Sequence, residues 1–152
     1  MILTTHALAG AVIGKNISNV WLVIILSFLS HFILDRFRHG EYLNQKKFGG
    51  ALWKTTIDLA IGLSIIVGFS YFSNFSHSEI RNIFSGSFFS MLPDALTLVY
   101  WKSKIKVLIP LYKFHTWIHR YPLDSPERQW NFRNAINDII ISLIAIIVLA
   151  YL

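Results

Sequence analysis

His31 and Asp35 stand four residues apart, and so do His115 and His119. On an α-helix each pair therefore projects from one face, one turn above the other. Imidazole and carboxylate are ligands for zinc, manganese and iron, so two such pairs on facing helices have the makings of a metal site. His39 lies four residues beyond Asp35 and extends that face. Asp94 follows Pro93 in FSMLPDALTL, a carboxylate with no cation beside it in an apolar run. The proline removes one backbone hydrogen bond and opens polar backbone groups next to the acid. His6 in LTTHALAGAVIG is followed by Ala7, Ala9, Gly10, Ala11 and Gly14, small residues that let a second helix approach closely. The candidate metal ligands are thus His6, His31, Asp35, His39, Asp94, His115 and His119.

Each residue also has a plainer reading. A lone histidine is satisfied by a backbone carbonyl, Asp35 by Arg36 or Arg38, and His119 beside Arg120 by water at an interfacial helix end. One such pair also occurs on haem-binding helices. Asp58 and Asp138 fall near the starts of their helices, where the helix dipole alone favours an acid. They are equally placed to take a proton from water as catalytic bases, or to hold a ligand histidine in its tautomer. His77, in FSNFSHSE, reads as solvated loop. The number of ionisable groups in apolar stretches tips the balance toward function, since each costs roughly 2.5 to 3.5 kcal/mol to insert.

The elements that must position these residues are helices in a membrane. With 54% hydrophobic and 14% charged residues among 152, the chain is too apolar for an ordinary soluble domain, and its length suits one domain over 1–152. Six helical segments are expected, at roughly 4–14, 18–38, 51–73, 78–101, 104–119 and 130–151. The second, third, fourth and sixth are expected to span, and the short first and fifth to be re-entrant or interfacial. No segment alternates with a strand's period, so the fold class is all-α, a membrane-embedded helical bundle. The N-terminus MILTTHALAGAVIGK lacks a basic leader region and is expected to be retained, with a signal peptide as the alternative.

Charge and cysteine content narrow the chemistry. The net charge of +6 lies in connections rather than along one helix face, which speaks for membrane topology and against a nucleic-acid partner. Arg36, Arg38, Lys46, Lys47 and Lys54 follow the second helix, Lys102, Lys104 and Lys106 the fourth, and Arg120, Arg128 and Arg133 precede the sixth. The opposite connections hold only Lys15 and the offsetting Glu79 and Arg81. The basic side is expected to be cytoplasmic, and the candidate ligands fall near it. The absence of cysteine excludes thiolate sites, disulfides and a cysteine nucleophile. A faint internal echo, Ser27-Phe28-Leu29-Ser30 with Ser87-Phe88-Phe89-Ser90 and Asp58 with Asp138, suggests pairing Asp35 with Asp94 and Asp58 with Asp138.

With TTHALAGA, LSHFILD and LPDA, the chain resembles the YdjM-like family of inner-membrane-associated metal-dependent hydrolases. That family is grouped with the zinc-dependent phospholipase C and single-strand nuclease superfamily. The resemblance implies that His6, His31, Asp35 and Asp94 bind metal, zinc above all with manganese or iron as alternatives, and that the protein hydrolyses a phosphodiester, with membrane lipid as the convenient partner. Leu96 stands where the family carries a second acid, and His115-Thr116-Trp117-Ile118-His119-Arg120 replaces its His-Arg and Thr-His-Ser segment. Arg38, Arg120 and nearby lysines are candidates for holding phosphate. The same residues also suit a metal-ion or proton transporter, a haem protein, or a catalytically degenerate scaffold.

Overall fold

Short polar signals cut the apolar sequence into helices. Asn19 accepts hydrogen bonds from the Trp21 and Leu22 amides at 2.9 and 3.3 Å and starts one helix. Ser76 and Glu79 form a reciprocal capping box at the start of another. The computed structural model describes residues 1–42, 48–122 and 125–151, so Lys46 and Lys47 lie outside the described residues. It contains α1 (Leu3–Asn16), α2 (Val20–Asp35), α3 (Phe48–Phe72), α4 (His77–Ser103), α5 (Ile109–Ile118) and α6 (Phe132–Tyr151). Among the described residues there is no strand, only an isolated bridge between Glu41 and Gln129.

Among the described residues, three helical stretches are long and apolar enough to cross a membrane: Leu52–Phe72, His77–Ser103 and Phe132–Tyr151. The span expected over 18–38 meets a shorter helix. Its 16 residues extend about 24 Å against a hydrocarbon core of about 30 Å. It starts late because Asn19 caps it, and it stops at Asp35, where the Arg36 and Phe37 amides turn back to Ile33 and Leu34.

The centre of the bundle is α1, which packs on α2, α3, α4 and α6. Thr5, His6, Ala7, Leu8 and Ala11 are wholly buried. Small residues make this possible: a methyl group on Gly10 would collide with the Gly86 carbonyl, and one on Gly14 with that of Asn82. The α1 and α4 backbones therefore touch, as in tightly crossed membrane helices. Polarity runs from inside to outside in reverse of a water-soluble protein. His6, His31, Asp35, Asn82 and Asn134 are buried, while Trp21, Ile25, Ile33, Val67, Phe88 and Ile147 are exposed. Lipid is the solvent that this exterior suits.

On the other side of α1 the packing is open. The helices α3 and α4 each rest on α1 and barely meet one another, and the same holds for α3 and α6. A cavity of about 750 Å³ fills the first gap, and one of about 550 Å³ the second.

Candidate metal centre

The last turn of α2, the turn of α4 after Pro93, the end of α5 and the first turn of α1 converge on one point. From α2 come His31 and Asp35, with His31 Nε2 at 3.0 Å from Asp35 Oδ2. From α5 comes His115, whose Nε2 lies 2.9 Å from the same oxygen and 3.1 Å from His31 Nε2. Asp94 Oδ1 of α4 lies 3.6 Å from His115 Nε2 and 3.9 Å from His31 Nε2. A tetrahedral ion with bonds of about 2.0–2.1 Å needs ligand atoms about 3.3 Å apart, which these separations bracket. His31, Asp35 and His115 are buried, whereas Asp94 keeps 27% of its side chain exposed and faces the large cavity.

Outer hydrogen bonds turn the inner nitrogens of these rings toward the carboxylates. His31 Nδ1 donates to the Ser90 carbonyl at 2.8 Å, and His39 Nδ1 to the Phe37 carbonyl at 2.8 Å. A carbonyl only accepts, so both Nδ1 atoms carry a proton; a neutral His31 then turns its Nε2 lone pair toward Asp35, while His39 Nε2 faces Glu41. His115 Nδ1 is held 2.8 Å from Thr97 Oγ1, the same outer-partner arrangement. These Nε2 atoms stand beside two carboxylates, a donor set that suits a cation held between them. Ser90 is buried on α4 where that helix packs on α2, so its carbonyl comes within reach of His31.

A second group shares Asp35. His39 Nε2 stands 3.9 Å from Asp35 Oδ1, and His119 Nε2 3.6 Å from Asp35 Oδ2. Asp35, His39 and His119 together are disposed to hold a second ion. His39 arrives by a different route from the one its spacing implies. The helix ends at Asp35, and a non-helical tail folds the ring back. His6 Nε2 lies 3.2 Å from Asp35 Oδ1 and 4.0 Å from Asp94 Oδ2, with its ring stacked on His31 at 4.1 Å between centroids. Its buried Nδ1 has no hydrogen-bond partner among the described residues. The Met1 backbone nitrogen also lies against Asp35 Oδ1.

Around the second group the sequence reading missed two residues. Glu41 Oε1 is 3.2 Å from His39 Nε2 and is gripped by the Arg128 guanidinium. Burial opposes ionisation of Glu41, but the His39 hydrogen bond and the Arg128 charge outweigh it and bring the carboxyl down to about 2. For His119, burial outweighs the pull of Asp35 and lowers the imidazole to about 3, so it stays neutral and able to coordinate. Glu41 and Arg128 meet across 87 residues from two loops, and no local spacing announces such a pair. Thr97, three residues after Asp94 and therefore on its face of α4, was within reach of helical periodicity.

Asp58 and Asp138 meet at the N-terminus of α1. Asp58 Oδ2 accepts from the Leu3 amide at 2.7 Å, and Asp138 Oδ1 accepts from the Ile2 amide at 3.1 Å and from Thr5 Oγ1 at 3.2 Å. They satisfy donors that the first turn of a helix leaves open and complement its dipole, from neighbouring helices rather than their own. Asp138 Oδ2 is buried without a partner among the described residues. Arg38 donates to Asn134 Oδ1 at 2.6 Å, Arg120 lies over the Tyr121 ring, and His77 is exposed as the first residue of α4. No family model, curated protein or solved structure matches this chain.

Proposed function

We propose that this chain is a membrane-bound, metal-dependent hydrolase of phosphodiesters, as its resemblance to the YdjM-like family implies, with its centre toward the cytoplasmic face. The observation supporting this reading is the convergence of His31 and His115 Nε2 on Asp35 and Asp94 at the polar end of a large cavity. Zinc is the ion the resemblance implies, with manganese or iron as alternatives, and nitrogen and carboxylate donors suit all three. Bound there, a divalent ion supplies a lowered pKa for water and an electrostatic sink for charge developing on phosphate. Asp94, the partly exposed ligand, borders the space a substrate would enter. Ser90 and Thr97 hold the ligand rings in place, and Asp58 and Asp138 act as positioning residues by seating the helix that carries His6. Arg128, through Glu41, sets a cation beside the site for an anionic group. The cytoplasmic assignment follows from the excess of Lys and Arg in the connections at that end.

Elemental analysis of the detergent-purified protein beside a His31→Ala, Asp35→Ala double variant tests the centre. Metal is expected in the wild type and lost from the variant, and equal content in both refutes the site. Turnover of a generic soluble phosphodiester by the metal-bound wild type is expected next. A protein that holds metal without turnover is a carrier or a scaffold instead.

A further inference from the structure

The large cavity has two unlike ends. At one, Glu41, Asp94, His115, His119 and Arg128 form its wall. Away from them the walls are side chains such as Leu59, Leu63, Phe84, Phe88, Met91 and Leu92, from the two helices that do not close on each other. Phe84 and Phe88 are exposed at its rim, on the apolar exterior of a span-length helix. The slot therefore opens sideways into the level of the membrane hydrocarbon.

We propose that this slot takes one alkyl chain of a membrane lipid, admitted laterally between α3 and α4, and presents the lipid's phosphate-bearing end to the histidine and aspartate centre. The substrate class rests on the hydrolase reading, whereas the lipid site does not. Three observations select an alkyl chain. Three hydroxyls on the α3 and α4 walls are already engaged: Thr56 Oγ1 donates to the Leu52 carbonyl at 3.0 Å, Ser87 Oγ to the Ala7 carbonyl at 2.8 Å, and Thr97 is tied to His115. A polar ligand would find little to bind there, and an alkyl chain needs nothing more. The run from Phe84 to Asp94 is about 15 Å along α4, half of a hydrocarbon core of about 30 Å, so a chain in the slot stays within one leaflet. Spread over the α4 wall from Phe84 to Trp101, about 26 Å, a volume of 750 Å³ leaves a section of about 30 Å², too narrow for a partner helix some 10–12 Å across. Charge completes the match, because Lys102 and Lys104 end α4, Lys106 follows, and Lys113 lies on α5, a setting that favours an anionic headgroup.

The test is photolabelling of the metal-loaded wild-type protein in nanodiscs of phosphatidylcholine and phosphatidylglycerol, doped with a phosphatidylglycerol that carries a diazirine at mid-chain. Label is expected at Leu63, Phe88 and Met91 at about ten times the yield on Ile25 and Leu29 of the outward α2 face, the enrichment expected of a site that retains lipid. A Leu92→Trp variant, which fills the slot, is expected to lower both that labelling and the ratio of long-chain to short-chain diester turnover by about tenfold. Equal labelling of the slot and the α2 face overturns the proposal, as does wild-type turnover without chain-length preference. Slot labelling with no turnover of any diester supports the lipid site and overturns the hydrolase reading.

Discussion

The face of α1 turned to α2 and α4 differs sharply from the face turned to α3. On the first, Gly10 and Gly14 bring backbones into contact with Gly86 and Asn82, and ligand atoms from three other helices fall within 4.0 Å of one another or of His6. On the second, Gly62 lies against Thr4, Ile66 joins Ala7, Leu8 and Ala11 in the apolar core, and Asp58 accepts from the Leu3 and Thr4 amides, but beyond α1 the α3 and α4 helices leave a gap. In a bilayer no hydrophobic force closes gaps between helices, so close packing arises only where small residues and polar partners invite it. The molecule spends that invitation where donor atoms must be held to tenths of an ångström, and leaves a slot where fluid hydrocarbon serves as well as protein.

Substitutions on the two faces should separate them. Gly10→Leu is expected to have the largest effect. Its side chain meets the Gly86 backbone, which cannot yield, and the loss should be about 3 kcal/mol or more, read as a fall in the thermal midpoint in detergent with loss of bound metal. Thr97→Val leaves packing nearly unchanged but frees the His115 ring. Metal affinity should drop about 10- to 100-fold in a chelator competition, and an unchanged affinity would remove Thr97 from the centre. Asp58→Asn, on the α3 face, should cost about 1 kcal/mol through the α1 terminus with metal content retained; metal loss would bind the two faces more tightly than described. Gly68→Ala closes the series, since nothing lies within 4 Å of the added methyl. Its effect should be no more than about 1 kcal/mol and in the stabilising direction.

The helices and the ligand pairs were legible because both depend on local spacing. The stretch expected at 130–151 is α6 at Phe132–Tyr151, and the pair His115 and His119 does point one way, toward Asp35. His39 obeyed the spacing but not the helix, since α2 yields to a tail at Asp35. Glu41 with Arg128, and the capping of α1 by Asp58 and Asp138, were hidden because each joins residues far apart in sequence. The slot was hidden more deeply. It exists because two helices share a neighbour without touching, a property of the whole arrangement rather than of any segment.

The placement of Asp58 and Asp138 has a consequence for how the chain is made. The opening amides of α1 are answered by residues of α3 and α6, helices made after it. Until α6 has entered the membrane, α1 lacks one of the anchors that set its depth, and His6 travels with it. The centre is therefore completed only after α6 arrives, and a chain cut short before Asp138 would carry every candidate ligand without assembling the site.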